Sequence, residues 1–352
     1  MKSKICIIGT ANIKHISLIS LYTKYFDAHS IPYDIIYLDR YGMDECTTAA
    51  NTYKYTAEET NGEFDKLLMF WRFRKFTIKK IIENRYRYLI TWQTTGAYII
   101  FDFLLRKFSG RYIVNVRDYV IENSQPFHTI IKKLVYKSAF TTISSEGFKS
   151  FLPSADYVKV NSINEDILSG INGRSRNTNE VIKIGFVGNC RYFRESFKLI
   201  DALGNDKRFE LWYCGTNSET LADYASAKGF DNVKTMPGFN PKDTVDIMAG
   251  FDMVNSAFGN DAMDNSTLMP IRLYTALAVH RPMLVNDKTQ LGKEVLANNI
   301  GFVISSYNQL ANQLFSYYKA LDFDAFSKNA DNYLKNARKE NQLFYQALSK
   351  LK

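Results

Sequence analysis

The residues best suited to anion chemistry lie in STLMPIRLYTALAVHRPMLV, Ser266 to Val285. Ser266 and Thr267 stand shortly before Pro270, as suits a first helical turn, and apolar residues follow at helical spacing. A helix is therefore expected over about Ile271 to Val279 with Pro270 at its first position, then a turn at HRP and a strand. A helix start presents unpaired N–H groups and the positive end of its dipole, which together can hold a diphosphate. Arg272 adds a fixed charge to that turn. The same pattern also fits an ordinary helix–strand unit with no ligand. A second segment, IKIGFVGNCRYFRESFKLIDAL (Ile182 to Leu203), reads as a strand ended by Gly188, a loop with Arg191 and Arg194, and a helix. Glycine lets the backbone approach a ligand, and the two guanidiniums can neutralise phosphate oxygens or stay solvated. Neither this loop nor IIGTAN near the N-terminus spells G-x-G-x-x-G, so a dinucleotide fingerprint is absent.

Alternating elements must position these residues. In the first half the strands are KICIIG (ended by Gly9), YDIIYLD, YRYLITW, RYIVNVRD, FTTISS and YVKVN. Helical patterns separate them, notably HISLISLYTKYFDAHS, AYIIFDFLLRKFS and PFHTIIKKLVYKS, while residues 43–65 are polar and receive no assignment. Short apolar strands alternating with helices imply an α/β protein with parallel sheets covered on both faces. Ser169 to Glu180 is polar and rich in Gly, Asn and Ser, as a linker is, and the alternation restarts after it. Two domains are expected, 1–172 and 180–329, followed by an amphipathic tail helix. Ligands of such sheets bind beyond the carboxyl ends of the strands, so two domains facing one cleft would give a two-substrate geometry.

Composition agrees. The chain has 352 residues, enough for about two domains. It is 46% hydrophobic and 14% aromatic, which excludes a disordered chain. The net charge is +9, with 23 Lys and Arg against 17 Asp and Glu up to Asn172 and 22 against 19 beyond it. An anionic partner is favoured: phosphate, nucleotide, lipid headgroup or nucleic acid. Cys6, Cys46, Cys190 and Cys214 are scattered, with neither zinc spacing nor a disulfide framework, which fits reduced thiols in the cytoplasm. The start, MKSKICIIGTAN, is too short in apolar residues for a signal-peptide core, and no apolar run could span a bilayer. Contact with a membrane is expected only from the cytoplasmic surface. Asp322 and Asp324 match a D-x-D metal pattern but sit before the tail helix and read as helix-start residues.

Together with YCGTNSE and MPGF, the two opening segments resemble the nucleotide-sugar domain of the GT-B glycosyltransferases. More narrowly, they are similar to the family 4 type that builds bacterial capsular and exopolysaccharides. The strand–Gly–loop–Arg segment of that type corresponds to Gly188, Asn189, Arg191 and Arg194, and its strand-end glycine to Gly215. The PGF loop corresponds to Pro237 to Phe239, and P-x-K-L-Y-E-A-L-A-x-x-K-P to Pro270 to Pro282. The likeness continues weakly into NVRDY (Asn115 to Tyr119) and TTISSEGFKSFLP (Thr141 to Pro153). The resemblance implies a GT-B architecture of two doubly wound Rossmann-like domains, with the tail, about 330–352, rejoining the first. It implies transfer of a sugar from a nucleoside diphosphate, UDP or GDP in form, to a glycan or a polyprenyl-diphosphate-linked acceptor, with no metal or other cofactor required. The donor site would take Phe239, Ser266, Thr267, Leu268, Met269 and Leu273 besides the residues matched above. Two positions depart from the pattern. The usual lysine is Arg272, and the usual glutamate, which holds the donor ribose, is Thr275, whose hydroxyl cannot make a bidentate contact.

The resemblance assigns the acceptor to the first domain, where the strand ends offer Thr10, Asn12, Lys14 and His15, then Gln93 and Thr94, then Arg117 and Asp118. Asp118 can act as base toward an acceptor hydroxyl, orient Arg117 or a sugar, or simply be solvated. His15 can touch acceptor or phosphate. His29 and His128 read as surface helix residues and His280 as part of a turn.

One further segment, Met69 to Ile90, carries seven basic residues against one acid, Glu83, with Trp71, Phe73 and Phe76 interleaved. On an anionic membrane Arg72, Arg74, Lys75, Lys79 and Lys80 would meet headgroups while Trp71, Phe73 and Phe76 insert. The other reading is a helix with aromatics in the core and solvated lysines. No nucleic-acid-binding module is present. The expected function is glycosyl transfer in bacterial surface polysaccharide synthesis. The alternatives are a non-catalytic nucleotide-sugar-binding partner subunit, a GT-B-like sugar-nucleotide epimerase, or a polynucleotide-binding α/β protein.

Overall fold

The computed structural model describes residues 4–16, 18–57, 62–168, 171, 173, 175–176 and 180–351. The expected linker, 169–180, lies largely outside them. The chain forms two compact units, Met1–Val160 with Glu340–Lys352, and Asn161–Lys339. The division thus falls at Val160, and the tail rejoins the first unit from Glu340.

The first unit runs β1 Ile5–Gly9, α1 Ser20–Ala28, β2 Tyr33–Asp39, β3 Asn51–Thr56, α2 Glu63–Asn84, β4 Tyr88–Trp92, α3 Gln93–Ile99, α4 Phe101–Lys107, β5 Tyr112–Val116, α5 Phe127–Lys137, β6 Phe140–Ile143 and β7 Val158–Lys159. The strands are parallel in the order β3-β2-β1-β4-β5-β6-β7. Every residue of β1, β2 and β5 is buried, because helices cover both faces of a parallel sheet. Two features depart from expectation. Residues 43–65 contain an edge strand, β3, and the single helix expected over AYIIFDFLLRKFS is two helices meeting at Ile100.

The second unit runs α6 Glu165–Leu168, β8 Ile182–Val187, α7 Phe193–Leu203, β9 Phe209–Cys214, α8 Glu219–Ala227, β10 Val233–Met236, α9 Thr244–Ala249, β11 Met253–Asn255, α10 Met263–Thr267, α11 Ile271–Ala278, β12 Met283–Asn286, α12 Gln290–Asn298, β13 Gly301–Ile304, α13 Leu310–Ala320 and α14 Phe323–Ser349. Its strands are parallel in the order β10-β9-β8-β11-β12-β13. The tail of α14 belongs to the first unit, where Phe344, Leu348 and Leu351 share a core with Tyr22, Phe26 and Trp92. Asp322 Oδ1 accepts the Ala325 amide, so it acts as a helix-start residue.

In both sheets the strand order reverses beside the first strand, between β1 and β4 and between β8 and β11. Chains leave the two flanking strands in opposite directions there and open a crevice at the carboxyl ends, where doubly wound sheets hold their ligands. No described helix is long and apolar enough to cross a membrane.

Candidate functional site

Arg272 sits at the reversal point of the second sheet. Its Nε donates to the Val187 carbonyl, the last of β8, at 2.7 Å. Its Nη1 reaches the Asn255 carbonyl, the last of β11, at 3.3 Å and Ser256 Oγ at 3.4 Å. The guanidinium stacks over the Phe186 ring at 3.8 Å and lies 5.4 Å from that of Phe258. Burial draws its pKa down to about 10, so it stays charged at neutral pH. No carboxylate pairs with it among the described residues. A partly desolvated cation without a counter-charge is unfavourable alone, and a bound anion would relieve it.

Glycine shapes the space beside it. Gly188 follows β8 with φ +133°, and a Cβ there would lie 2.9 Å from Arg272 Nη2. Gly215 follows β9 with φ +136°, and a Cβ there would lie 1.9 Å from the Gly188 carbonyl oxygen. Gly188 N donates to Cys214 O at 2.8 Å, lacing the ends of β8 and β9, and Gly215 N donates to Met236 O at 2.7 Å, lacing β9 to β10. Cys190 is buried below, and burial pushes its thiol up to about 11, so it is not a nucleophile.

Helix α11 begins in the same region. Pro270 is its N-cap rather than its first helical residue, and no side chain caps it. The Leu273 amide bonds the Pro270 carbonyl at 3.1 Å, which leaves the Ile271 and Arg272 amides for a ligand. Ser266 and Thr267 do not serve that turn. They close the separate helix α10, donating to the Met263 carbonyl at 3.2 and 2.6 Å.

The structure revises several other donor candidates. Met269 and Leu273 are buried in the core, which leaves only their backbone for a ligand. Leu268 and Phe239 pack against core clusters. Arg194 is 77% exposed and bonded to Asp261 at 2.6 Å, so its charge is already matched. Arg191 is exposed and donates to Tyr192 Oη at 2.7 Å. Asn189 accepts from Asn217 at 2.9 Å. Thr275 is buried with its hydroxyl turned back toward the Ile271 carbonyl at 3.5 Å. Of the three arginines, only Arg272 is held at the strand ends.

One group at this end of the sheet carries little signal in the sequence. Glu195, on the first turn of α7, is buried and accepts from Asn286 and Tyr307 at 2.6 Å each and from Lys198 at 2.9 Å. Asn286 Oδ1 in turn accepts the Gly259 amide at 2.8 Å. This buried network ties the ends of β12 and β13 to α7 and fixes the loop after β11. An acid in a first helical turn was the only sign of it.

In the first unit the named residues share the carboxyl end of the sheet, after β1, β4 and β5. Two are committed to structure. Asn12 is fully buried, donates to Asp39 at 2.7 Å and accepts the Arg40 amide at 2.8 Å. Asp39 pays for its burial with bonds from Asn12 and the Tyr41 and Gly42 amides, which hold its carboxyl below the usual range. Thr94 is buried and bonds the buried Glu122, a second acid not foreseen, which also accepts the Val120 and Ile121 amides. Thr10 and Arg117 are buried, Gln93 is partly exposed with φ +58°, and Asp118 and His15 are exposed. Lys14 lines a cavity of about 430 Å³ with Ile13, Ile16, Leu18, Met43 and Glu45. His280 bonds Asp331 at 2.9 Å. No three described His, Cys, Asp or Glu residues are grouped so as to hold a metal.

No protein-family model matches the sequence, and no curated protein matches it either. Solved structures do match, over nearly the whole chain. Sucrose-phosphate synthase from Thermosynechococcus elongatus is 12% identical, with TM-score 0.71, over 97% of this chain and 95% of that one. HepE of Anabaena in complex with UDP is 12% identical, with TM-score 0.69, over 99% of this chain and 100% of its own. WaaG, a glycosyltransferase involved in lipopolysaccharide biosynthesis, is 12% identical, with TM-score 0.64, over 95% of each. The fold is therefore the GT-B glycosyltransferase fold, two parallel-sheet α/β domains of seven and six strands.

Proposed function

We propose that the chain is a glycosyltransferase using a nucleoside-diphosphate sugar, with UDP or GDP as the nucleotide. The observation that carries this reading is Arg272, a partly buried guanidinium with no carboxylate partner among the described residues, fixed at the reversal point beside Gly188 and the start of α11. Arginine, backbone amides and a helix dipole suit a diphosphate there. The HepE structure with UDP, of the same fold, supports a nucleotide ligand.

In the proposed reaction the bond from the anomeric carbon to the diphosphate oxygen breaks and the acceptor oxygen bonds that carbon. The acceptor's proton leaves to a base, for which Asp118 is the candidate, with His15 second. Negative charge grows on the departing diphosphate. Arg272 and the first amides of α11 stabilise it, and being already in place they need little reorganisation. The acceptor we propose is a glycan or a lipid-linked glycan of bacterial surface polysaccharide, and the role of WaaG in lipopolysaccharide biosynthesis supports that class. Thr10, Lys14, Gln93 and Arg117 are the remaining acceptor candidates.

Because Arg272 and helix amides supply the positive charge, the proposed transfer needs no divalent cation. Activity measured with EDTA should equal activity with added magnesium, and a strict magnesium requirement would overturn this part of the reading. The reading as a whole is tested by thermal shift with UDP, GDP, ADP and dTDP and their sugars. A ligand that binds only the folded chain raises its melting temperature by mass action. At least one should do so and should release its diphosphate when acceptor is added. No shift with any of them at millimolar concentration would sink the donor-site assignment, and conversion of the donor's own sugar would identify an epimerase instead.

A further inference from the structure

We propose that the outer face of α2 docks on an anionic lipid bilayer. The proposal goes beyond the transfer reading, since it concerns a different surface and holds whatever the donor site binds. Helix α2 has two apolar faces. Met69, Phe73, Thr77 and Ile81, four residues apart, are its buried positions. The opposite stripe carries Phe64, Leu67, Trp71 and Ile82, which are 77, 68, 51 and 62% exposed. Their spacing of three or four residues, continued through Lys75 and Ile78, puts them on one line along the helix. Phe73 is therefore a core residue and does not insert, and Phe76 is half-buried against Tyr55. Arg74 is likewise set aside, since it bonds Asp102 at 2.7 Å and the Ile99 carbonyl.

A single exposed leucine on a surface is ordinary, but an aligned row of large apolar side chains marks an interaction face. Charge selects the occupant. Arg72, Lys75 and Lys79 are exposed along the stripe, Lys79 with Glu83 at 3.8 Å, and Lys75 Nζ sits 3.4 Å from the centre of the Trp71 ring, whereas Lys80 is half-buried, bonds Glu83 at 2.9 Å and is set aside. Apolar side chains flanked by cations match the interface of an anionic bilayer, where rings lie at headgroup depth and ammonium groups meet phosphates. A second copy of the chain would bring six such cations together. A polynucleotide would leave the row of apolar side chains without a use.

The full chain should be sedimented with vesicles of phosphatidylglycerol in phosphatidylcholine, and with phosphatidylcholine alone. We expect binding to the anionic vesicles only, weakened by salt. The triple variant Arg72→Gln, Lys75→Gln, Lys79→Gln should lose on the order of 100-fold in partition, from about fivefold per charge. The variant Phe64→Ser, Leu67→Ser, Ile82→Ser should also lose binding. All six side chains are exposed, so both variants should keep the wild-type melting curve. Trp92 is buried and Trp212 half-buried, so a blue shift of emission on binding should come from Trp71 and vanish in Trp71→Phe. Equal binding by either triple variant, equal binding to neutral vesicles, or no blue shift would overturn the proposal. So would a concentration-dependent dimer that the serine variant dissociates, which would assign the face to a second copy. Nucleoside diphosphate binding is measured separately, and its failure would leave the vesicle result standing.

Discussion

Replacing Arg272 by alanine is expected to weaken binding of the preferred nucleoside diphosphate about 100-fold, the loss of one or two charge-assisted hydrogen bonds. Replacing Arg194 by alanine is expected to change it by less than about threefold, because Arg194 is exposed and already bonded to Asp261. The contrast decides which arginine carries the site, since both stand near the strand ends in sequence. Arg272→Ala also removes the donors to the Val187 and Asn255 carbonyls, so some stability should go with it, about 1–2 kcal/mol. Arg272→Lys separates the two effects. It keeps the charge but cannot serve two carbonyls and a ligand at once, so it should bind with intermediate affinity. Equal affinity across wild type, Arg272→Ala and Arg194→Ala, measured by calorimetry, would show that the diphosphate is held elsewhere.

Gly215→Ala is expected to cost at least about 3 kcal/mol of stability, a fall in melting temperature of roughly 10 °C for a unit of this size. Two causes add. The φ of +136° is one that only glycine adopts freely, and the new methyl would stand 1.9 Å from the Gly188 carbonyl oxygen. That oxygen belongs to backbone laced between β8 and β9, so it cannot swing aside as a side chain would. Gly229→Ala is the control. Its φ is +71°, with nothing within 4 Å of the added carbon, so only the local strain of about 1 kcal/mol should appear. If the two variants melt together, the close approach of the two strand ends is not a constraint on the fold.

Legibility in the sequence followed burial. YDIIYLD was expected as a strand and is β2 at Tyr33–Asp39, because a strand covered on both faces has to be apolar throughout. NTYKYT carries no strand signal in the sequence, although it is β3. An edge strand with one neighbour and mostly exposed residues has no such run to display. The break at Ile100 has neither glycine nor proline to announce it. Around the site, Gly188, Pro270 and Arg272 stood out because their types are unusual at those spacings. The pairing of Arg194 with Asp261 did not, since the acid comes from a loop 67 residues away in the chain. The aromatics of α2 were open to a closer reading. Met69, Phe73, Thr77 and Ile81 recur every four residues, and that period separates the buried Phe73 from the exposed Trp71.

A crystal of the chain soaked with UDP tests the central claim most directly, or one with GDP should the thermal panel prefer it. The two phosphates should lie against Arg272 Nη2, beside the Gly188 backbone and the first amides of α11. Density for the diphosphate away from Arg272, or an Arg272 side chain that swings off the Val187 carbonyl and out to solvent, would contradict the account.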